Sequence, residues 1–380
     1  MIGLKPINSL ANSGTTTKYV RMVTTDTLPA APLHNVIACL GGEQTVLERR
    51  ARPVPQAGEM LLKLRVVGFC GTDLFKLTTD GVAKGTVLGH EIVGEVLQLG
   101  PDVDRFKTGD RVAVPHHVPC GECRLCRRGN ETMCETFREN LMEPGGFADH
   151  VLIRPRATQH AAHTVPDGVS DDAAVFMEPA ACVLRGINRS GVADGGSAAI
   201  LGGGSMGLLH LLVIKAAMPG VSVLVVDPIA ERRALALTLG ATAAAEPGDP
   251  AIAAADQMTE GGRVDAVFDT VGGAKLLYAG LALSGQGGTV VLFAHAPDGQ
   301  RADFDLNDLF KYERRVIGTY SGALAEQAGV FELIRSGALD PTPLVSHTMP
   351  LDEFERGFAL AKSRQALKIL FTPSRGTAGP

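Results

Sequence analysis

The sequence predicts a two-domain α/β protein, with one β-rich domain and one built on a doubly wound parallel sheet, and three observations predict it. At 380 residues the chain exceeds what a single hydrophobic core usually supports. Its first part is a series of short apolar runs separated by Gly and Pro, which suggests a compact β-rich domain. From residue 197 onward, strand-like runs alternate with helical ones, implying repeated βα units and a parallel sheet. A composition of 45% hydrophobic and 20% charged residues with 45 Gly belongs to a globular α/β chain and excludes a disordered or fibrous one.

Residues 1–34 read as an extension. They lack the charged, apolar and cleavage regions of a secretory signal. They are Ser/Thr-rich with no acid before Asp26, faintly like a transit peptide, yet an unstructured tail or a start at Met22 accounts for them better. The expectation is a cytoplasmic protein. A net charge of −5 leaves no electrostatic footprint for nucleic acid or an anionic membrane, so neither is an expected partner. The most apolar window, residues 198–214, contains Gly202-Gly203-Gly204, Ser205 and His210, which suits a strand, a turn and a buried helix better than a membrane span.

Strands are expected at residues 35–40 and 60–67, with Pro53, Pro55 and Gly58 forming the turn between them. Next come Gly68-Phe69-Cys70-Gly71-Thr72-Asp73 and, after a loop, Gly89-His90-Glu91, which opens another period-two strand to residue 97. Cysteine, histidine and glutamate all ligate zinc, and a catalytic zinc takes three protein ligands and keeps a fourth position open. Cys70, His90 and one or both of Glu91 and Glu178 are the candidate ligands. Singly, each has a bland reading as a buried thiol, a core imidazole or an ion-paired acid. Residues 107–114 repeat the turn-then-strand pattern.

The chain has seven cysteines, and four of them form Cys120-x2-Cys123-x2-Cys126-x7-Cys134. Such a cluster without an export signal reads as metal binding and not as a disulfide framework. Four thiolates close a tetrahedral zinc shell with no open position, the arrangement of a structural site. The interleaved Arg124, Arg127 and Arg128 offset its negative charge. A nucleic-acid-binding zinc ribbon would pair two separated Cys-x2-Cys knuckles, whereas three of these cysteines run in one loop. Cys39 and Cys182 read as buried and inert.

A strand at 149–154 precedes a helical stretch from Asp171 through Glu178 to Arg185. The strand 197–201 then runs directly into Gly202-Gly203-Gly204-Ser205-Met206-Gly207 and a helix, the context in which Gly-x-Gly-x-x-Gly binds a dinucleotide. Gly202, Gly204, Met206 and Gly207 are the candidate pyrophosphate turn, where backbone amides and the helix N-terminus favour phosphate. The strand 221–226 ends in Asp227, 20 residues past Gly207, where an acid binds the adenosine ribose and repels a 2′-phosphate. NAD is therefore expected over NADP. Arg232 and Arg233 could bind such a phosphate, though an exposed Arg pair is more often solvated surface. A strand at 264–269, a helix at 274–283 and a strand at 288–293 continue the alternation. Around 312–318 the chain is expected to return toward the first domain, and it closes with an amphipathic helix at 351–362 and a strand at 368–371.

Over residues 35–373 this set resembles the zinc-containing medium-chain alcohol and polyol dehydrogenases. Gly89, His90, Glu91, Gly94, Gly100 and Val103 match their zinc signature, and the Cys70 element, the four-cysteine lobe, Glu178-Pro179 and the glycine turn follow in the family's order. The resemblance implies a GroES-like catalytic domain over 35–180, completed by 318–380, and a Rossmann domain over 181–317. It also implies one catalytic and one structural zinc per chain, with Cys70 and His90 as ligands, Thr72 as first proton acceptor and Asp73 orienting a ligand. Glu178 stands where classical alcohol dehydrogenases carry a second cysteine; glutamate there is similar to sorbitol, threonine and related dehydrogenases, a branch in which Glu91 and Glu178 can each be near the metal, so the resemblance leaves open which of them ligates it.

The implied reaction passes a hydride between a secondary alcohol (polyol, sugar or related) and NAD. If zinc lowers the alcohol's pKa as it lowers that of water, from about 15.7 to about 7, it contributes on the order of 12 kcal/mol to ionisation. Relatives often carry a His five residues after the zinc Cys. This chain has Phe75 there, so the proton leaves by another route or Phe75 walls the substrate pocket. The expected partner is a small-molecule alcohol or carbonyl compound, and the expected assembly is a homodimer or homotetramer. A threonine-type amino-alcohol dehydrogenase and a non-catalytic nucleotide-binding zinc protein are the alternatives.

Overall fold

The computed structural model describes residues 32–79 and 81–375. The tail expected over residues 1–34 therefore lies almost wholly outside the described residues. Leu33–Gly41 pairs antiparallel with Gln44–Ala51. The second of these strands buries no residue, so no apolar alternation marks it in the sequence.

Met60–Gly68 is central to the eight-stranded sheet. It pairs antiparallel with Glu91–Leu99, which in turn pairs with Arg111–Pro115. On its other edge it pairs with His150–Ile153 and with Lys368–Thr372, the last strand of the described chain. Gly68 is opposite Glu91 on one side and Leu370 on the other, so the closing strand runs beside the residues that precede Cys70.

The second sheet has six parallel strands, in the order Ala243–Ala245, Ser222–Val226, Ser197–Leu201, Val264–Asp269, Ser284–Leu292 and Arg315–Gly318. Ala198, Ile200, Val223, Val225, Ala266 and Phe268 pack into one core, and Ala199, Leu201, Leu224, Val226 and Val267 into another. Successive side chains point to opposite faces, and a sheet covered by helices on both faces buries each of them; continuous apolar runs follow. Residues 312–318 do not return directly to the first sheet. Arg315–Gly318 forms the edge of the parallel one, and its polar flank, Glu313 and Arg314, hides the strand from an apolar reading.

His210 lies at 0% exposure inside the helix Ser205–Ala217, its Nδ1 2.7 Å from the Met206 carbonyl and its ring against Phe268 and Phe293. Burial pushes its pKa down to about 4. The folded state thus disfavours the charged ring, so this stability is complete above the unfolded value near 6.5 and is lost as pH falls from there toward 4. The expected loss is about 3 kcal/mol. Urea unfolding of wild type and of His210→Leu at pH 7.5 and 4.5 checks it, because the variant should lose less stability on acidification.

Candidate active site and metal centres

Cys70 is the N-cap of the helix Gly71–Thr78, with its Sγ 3.5 Å from the Thr72 N–H. The Asp73 carboxylate accepts from the Cys70 N–H at 3.1 Å, completing a capping box in which a thiol replaces the usual hydroxyl. The other Asp73 oxygen accepts from the Gly89 N–H at 3.3 Å and lies 3.4 Å from His90 Nδ1. One fully buried aspartate thus fixes both the thiol and the imidazole. Gly89 is obligatory here, since at φ +86° a Cβ would meet the Phe147 amide nitrogen at 2.8 Å.

Cys70, His90 and Glu91 offer ligand atoms that all lie within 4.8 Å of one another. Burial opposes a proton on His90, but Asp73 and Cys70 outweigh it and raise the pKa well above the usual value. The site therefore concentrates negative potential. Glu91 is 0% exposed; its Oε2 accepts from Lys368 Nζ, while Oε1 has no hydrogen-bond partner. A buried polar atom left unmet costs about 1–3 kcal/mol, more if charged, so a thiol, an imidazole and this oxygen suit a zinc ion.

Glu178, in the helix Met177–Ser190, stands outside that three-residue group. Its Oε1 accepts from Cys182 Sγ at 3.7 Å and lies 4.0 Å from His116 Nδ1. Burial, opposed by His90 and reinforced by Glu91, pushes its pKa up to about 7. Cys182 is half-buried beside Glu178 rather than fully buried as expected, but burial, then Glu178 and Cys70, keep it a protonated thiol, in line with the unreactive residue expected. Cys39 is buried as expected.

Lys368, His116 and His117 escape the sequence reading. A lysine heading an Ile-Leu-Phe strand is the available signal for Lys368, which is 2% exposed. Burial works against its charge, yet Glu91 and Cys70 raise its pKa. Gly68 makes room for the pair, for a Cβ there would sit 2.0 Å from Glu91 Oε2. His116 and His117 follow the strand Arg111–Pro115. Burial and the charge of His90 hold His116 well below its ordinary value and His117 at about 4, so both rings are neutral.

Thr72 lies in the first turn of the helix that Cys70 caps, and Phe75 follows at the spacing that shares its face. The Phe75 ring stacks on His295 at 5.2 Å with 2° between the planes. His295 comes after Ser284–Leu292, at the carboxyl end of the parallel sheet, where open α/β sheets bind ligands.

At the glycine turn, Gly202 has φ +102°, and a Cβ on Gly207 would lie 1.7 Å from the Gly202 carbonyl oxygen, so only glycine lets the helix seat on the turn. Around Gly204 a Cβ would meet nothing nearer than Arg232 at 4.0 Å, leaving space for a pyrophosphate. Met206 packs on the core instead. The Asp227 carboxylate accepts from the Gly203 N–H at 2.7 Å and the Ile229 N–H at 2.8 Å. Arg232 and Arg233 are not freely solvated: Arg232 Nη1 is 3.8 Å from Asp227 Oδ2, and Arg233 donates to the Asp227 carbonyl and to Glu246.

In the cysteine lobe, sulfur separations are 3.9 Å for Cys120–Cys126, 3.5 Å for Cys123–Cys126 and 3.5 Å for Cys120–Cys134. A tetrahedron with Zn–S near 2.3 Å has edges of about 3.8 Å, whereas a disulfide is about 2.05 Å. All four sulfurs lie within 4.8 Å of one another, a fit to zinc.

Residues 56–167 match the alcohol dehydrogenase GroES-like domain and residues 206–336 the zinc-binding dehydrogenase domain. The chain is 32% identical to 2-dehydro-3-deoxy-L-galactonate 5-dehydrogenase of Pseudoalteromonas atlantica, over 83% of this chain and 92% of that protein. It is 29% identical to L-threonine 3-dehydrogenase of Thermococcus kodakarensis, over 85% and 93%. A zinc-binding dehydrogenase of Sinorhizobium meliloti solved with NADP is similar in structure, with a TM-score of 0.79 at 27% identity, covering 90% of this chain and all of that one (100%). Among the described residues no helix is long and apolar enough to cross a membrane.

Proposed function

The chain belongs to the zinc-containing medium-chain alcohol and polyol dehydrogenases, and we propose that it holds zinc at Cys70, His90 and Glu91, with Glu178 beside them, to pass a hydride between a secondary alcohol and NAD. The observation that carries this reading is the convergence of ligand atoms of Cys70, His90 and Glu91 within 4.8 Å, in a site where one buried Glu91 oxygen has no hydrogen-bond partner. In this reading residues 35–180 and 318–380 are the catalytic domain and 181–317 the nucleotide domain.

A zinc ion supplies a Lewis acid that lowers an alcohol's pKa, and NAD supplies the hydride acceptor. The alcohol loses its C–H hydrogen with the bonding pair and its O–H hydrogen as a proton, leaving a carbonyl. The protein orients these groups and handles the proton. Asp73 fixes Cys70 and His90, and the Thr72 hydroxyl accepts the alcohol proton. Phe75 cannot pass it on, so it leaves through water or the Glu178 carboxyl, whose pKa near 7 suits the exchange.

Asp227 at the end of Ser222–Val226 supports NAD over NADP, even with Arg232 at 3.8 Å. The four-cysteine lobe is the structural zinc site. The substrate class is polyols, sugars and related secondary alcohols. A threonine-type amino alcohol is the second reading, favoured by the similarity to threonine dehydrogenase. Zinc content of the purified chain, with NAD and NADP reduction followed across polyols, sugars, simple alcohols and threonine, tests the whole. Two zinc ions and NAD-linked turnover support it; one zinc ion and no turnover would leave a non-catalytic nucleotide-binding protein.

The assembly we propose is a homo-oligomer through the nucleotide domain. The helix Leu306–Tyr312 buries none of its residues, with Leu306 74% and Phe310 80% exposed at i, i+4 spacing, and the open edge strand Arg315–Gly318 follows. Phe310→Lys is expected to shift the protein to monomers in light scattering.

A further inference from the structure

One helix, Met177–Ser190, reaches both ligand sets. Glu178 stands in its first turn, and His116 links it to the proposed metal residues, with Nδ1 4.0 Å from Glu178 Oε1 and its ring centre 4.5 Å from that of His90. Arg185 follows seven residues later, about two turns and 10 Å along the same face. Both side chains are buried. Arg185 Nη2 donates to the Gly129 carbonyl at 3.1 Å, while Nη1 lies 3.5 Å from Glu131 Oε2 and 3.4 Å from each oxygen of Glu326. Gly129 and Glu131 sit between Cys126 and Cys134. The Gly129 N–H donates to the Cys126 carbonyl at 3.0 Å and the Cys134 N–H to the Glu131 carbonyl at 3.0 Å, so the residues that Arg185 holds are bonded to two of the four cysteines. Glu326 is a fixed anchor: it accepts from the Ala323 N–H at 3.0 Å, and Gly322 packs so tightly on the helix that a Cβ would meet Ala181 at 2.6 Å.

Apolar packing does not make this connection. Cys126, Cys134 and Phe137 form a small cluster of their own, apart from the core that takes Met177, Val183 and Ile187 of the helix. A crevice of about 270 Å³, lined by Asn130, Thr132 and Met133 on the lobe and Arg189 on the helix, opens beside Arg185. Among the described residues no other side chain of the helix hydrogen-bonds to residues 120–134. The tie between lobe and helix is therefore polar and rests on one guanidinium.

We propose that Arg185 is a positioning residue: it ties the helix Met177–Ser190 to the cysteine lobe, so that a zinc-filled lobe fixes where Glu178 stands beside Cys70, His90 and Glu91. This rests on the dehydrogenase reading and gives the second zinc site a part in the chemistry of the first. A helix is stiff over two turns, and a shell that holds Cys126 and Cys134 also holds Gly129 and Glu131 between them. With the lobe empty that segment is free to shift, and Arg185 loses a carbonyl and a carboxylate together. The coupling runs through contiguous bonded groups, and a partner that orients a metal site from outside its ligands is worth about 10–100-fold in metal affinity or activity.

The test measures zinc affinity of the full-length chain by competition with a chelator, with Cys70→Ala identifying the catalytic binding step. Arg185→Met is combined with Glu326→Gln, because removing the arginine alone strands a buried carboxylate, and Glu326→Gln by itself is the reference. Arg185→Met is expected to weaken the catalytic step roughly tenfold and to lower kcat with KM for NAD unchanged, and Arg185→Lys should restore part of the affinity. In a chain that also carries Glu178→Ala, Arg185→Met should change the catalytic step no further. Sites about 10 Å apart with no shared partner act additively, so a full tenfold loss surviving in that chain overturns the proposal. Cys134→Ser, which opens the lobe, should reproduce the loss, and Glu131→Gln should give a smaller one with the lobe zinc retained. Catalytic-site affinity unmoved in both also overturns it. If the wild-type chain binds zinc at the lobe alone, the proposal and the dehydrogenase reading fall together. Two zinc ions and the full coupling, with no alcohol turned over, would uphold the proposal and sink the dehydrogenase reading.

Discussion

Replacing Cys70 with Ala should remove one zinc ion per chain and lower kcat by at least roughly a thousandfold. The thiol is one of three donors that the fold brings within 4.8 Å, and the other two cannot close a tetrahedral shell without it. Lewis-acid stabilisation of the developing alkoxide amounts to several kcal/mol, and each 1.36 kcal/mol is about tenfold in rate. The same substitution removes a helix cap, at a cost of about 1 kcal/mol, so the chain should stay folded and keep the zinc of the cysteine lobe. Metal analysis beside steady-state kinetics separates the effects. Two zinc ions and near-wild-type turnover in the variant would exclude Cys70 as a ligand.

Lys368→Met is expected to be the most destabilising single change near the site, by about 3–5 kcal/mol. Lys368 and Glu91 are 2% and 0% exposed, and the lysine is the hydrogen-bond partner of Glu91 Oε2. In the metal-free chain, taking away the cation leaves a buried carboxylate with neither oxygen bonded, and a typical domain has only about 5–15 kcal/mol of stability in total. Replacing both partners removes the uncompensated charge, so Glu91→Gln combined with Lys368→Met should recover most of the loss. Urea unfolding of the metal-free single and double variants decides the matter: equal stability of the Lys368 single variant and wild type would show that the ion pair contributes nothing.

The legible parts of this protein are those fixed by short-range spacing. Cys120, Cys123, Cys126 and Cys134 are close in the chain and therefore close in space. The Gly202–Gly207 turn is recognisable because a strand precedes it and a helix follows. Even the Cys70-x-x-Asp73 cap had a readable signal in the capping-box pattern. The edge strand Arg315–Gly318 was misplaced because a strand with one open edge and half-exposed residues needs no apolar run.

By itself the sequence determined the fold class and picked out the two candidate ligand sets and the nucleotide turn, since ligand type, glycine spacing and apolar period are local properties. Only the tertiary structure decided which carboxylate oxygen is left for a metal. That choice depends on the register in which Gly68 faces both Glu91 and Leu370, which brings Lys368 across 277 residues to Glu91 Oε2 and leaves Oε1 unpartnered. It likewise decided that Cys182 adjoins Glu178, that Arg232 leans on Asp227, and that His295 covers Phe75. Cys182 is only one helical turn from Glu178, yet which face of that helix meets the site was set by packing. Contacts of this kind follow from how sheets close and helices dock, and no periodicity in a single chain encodes them.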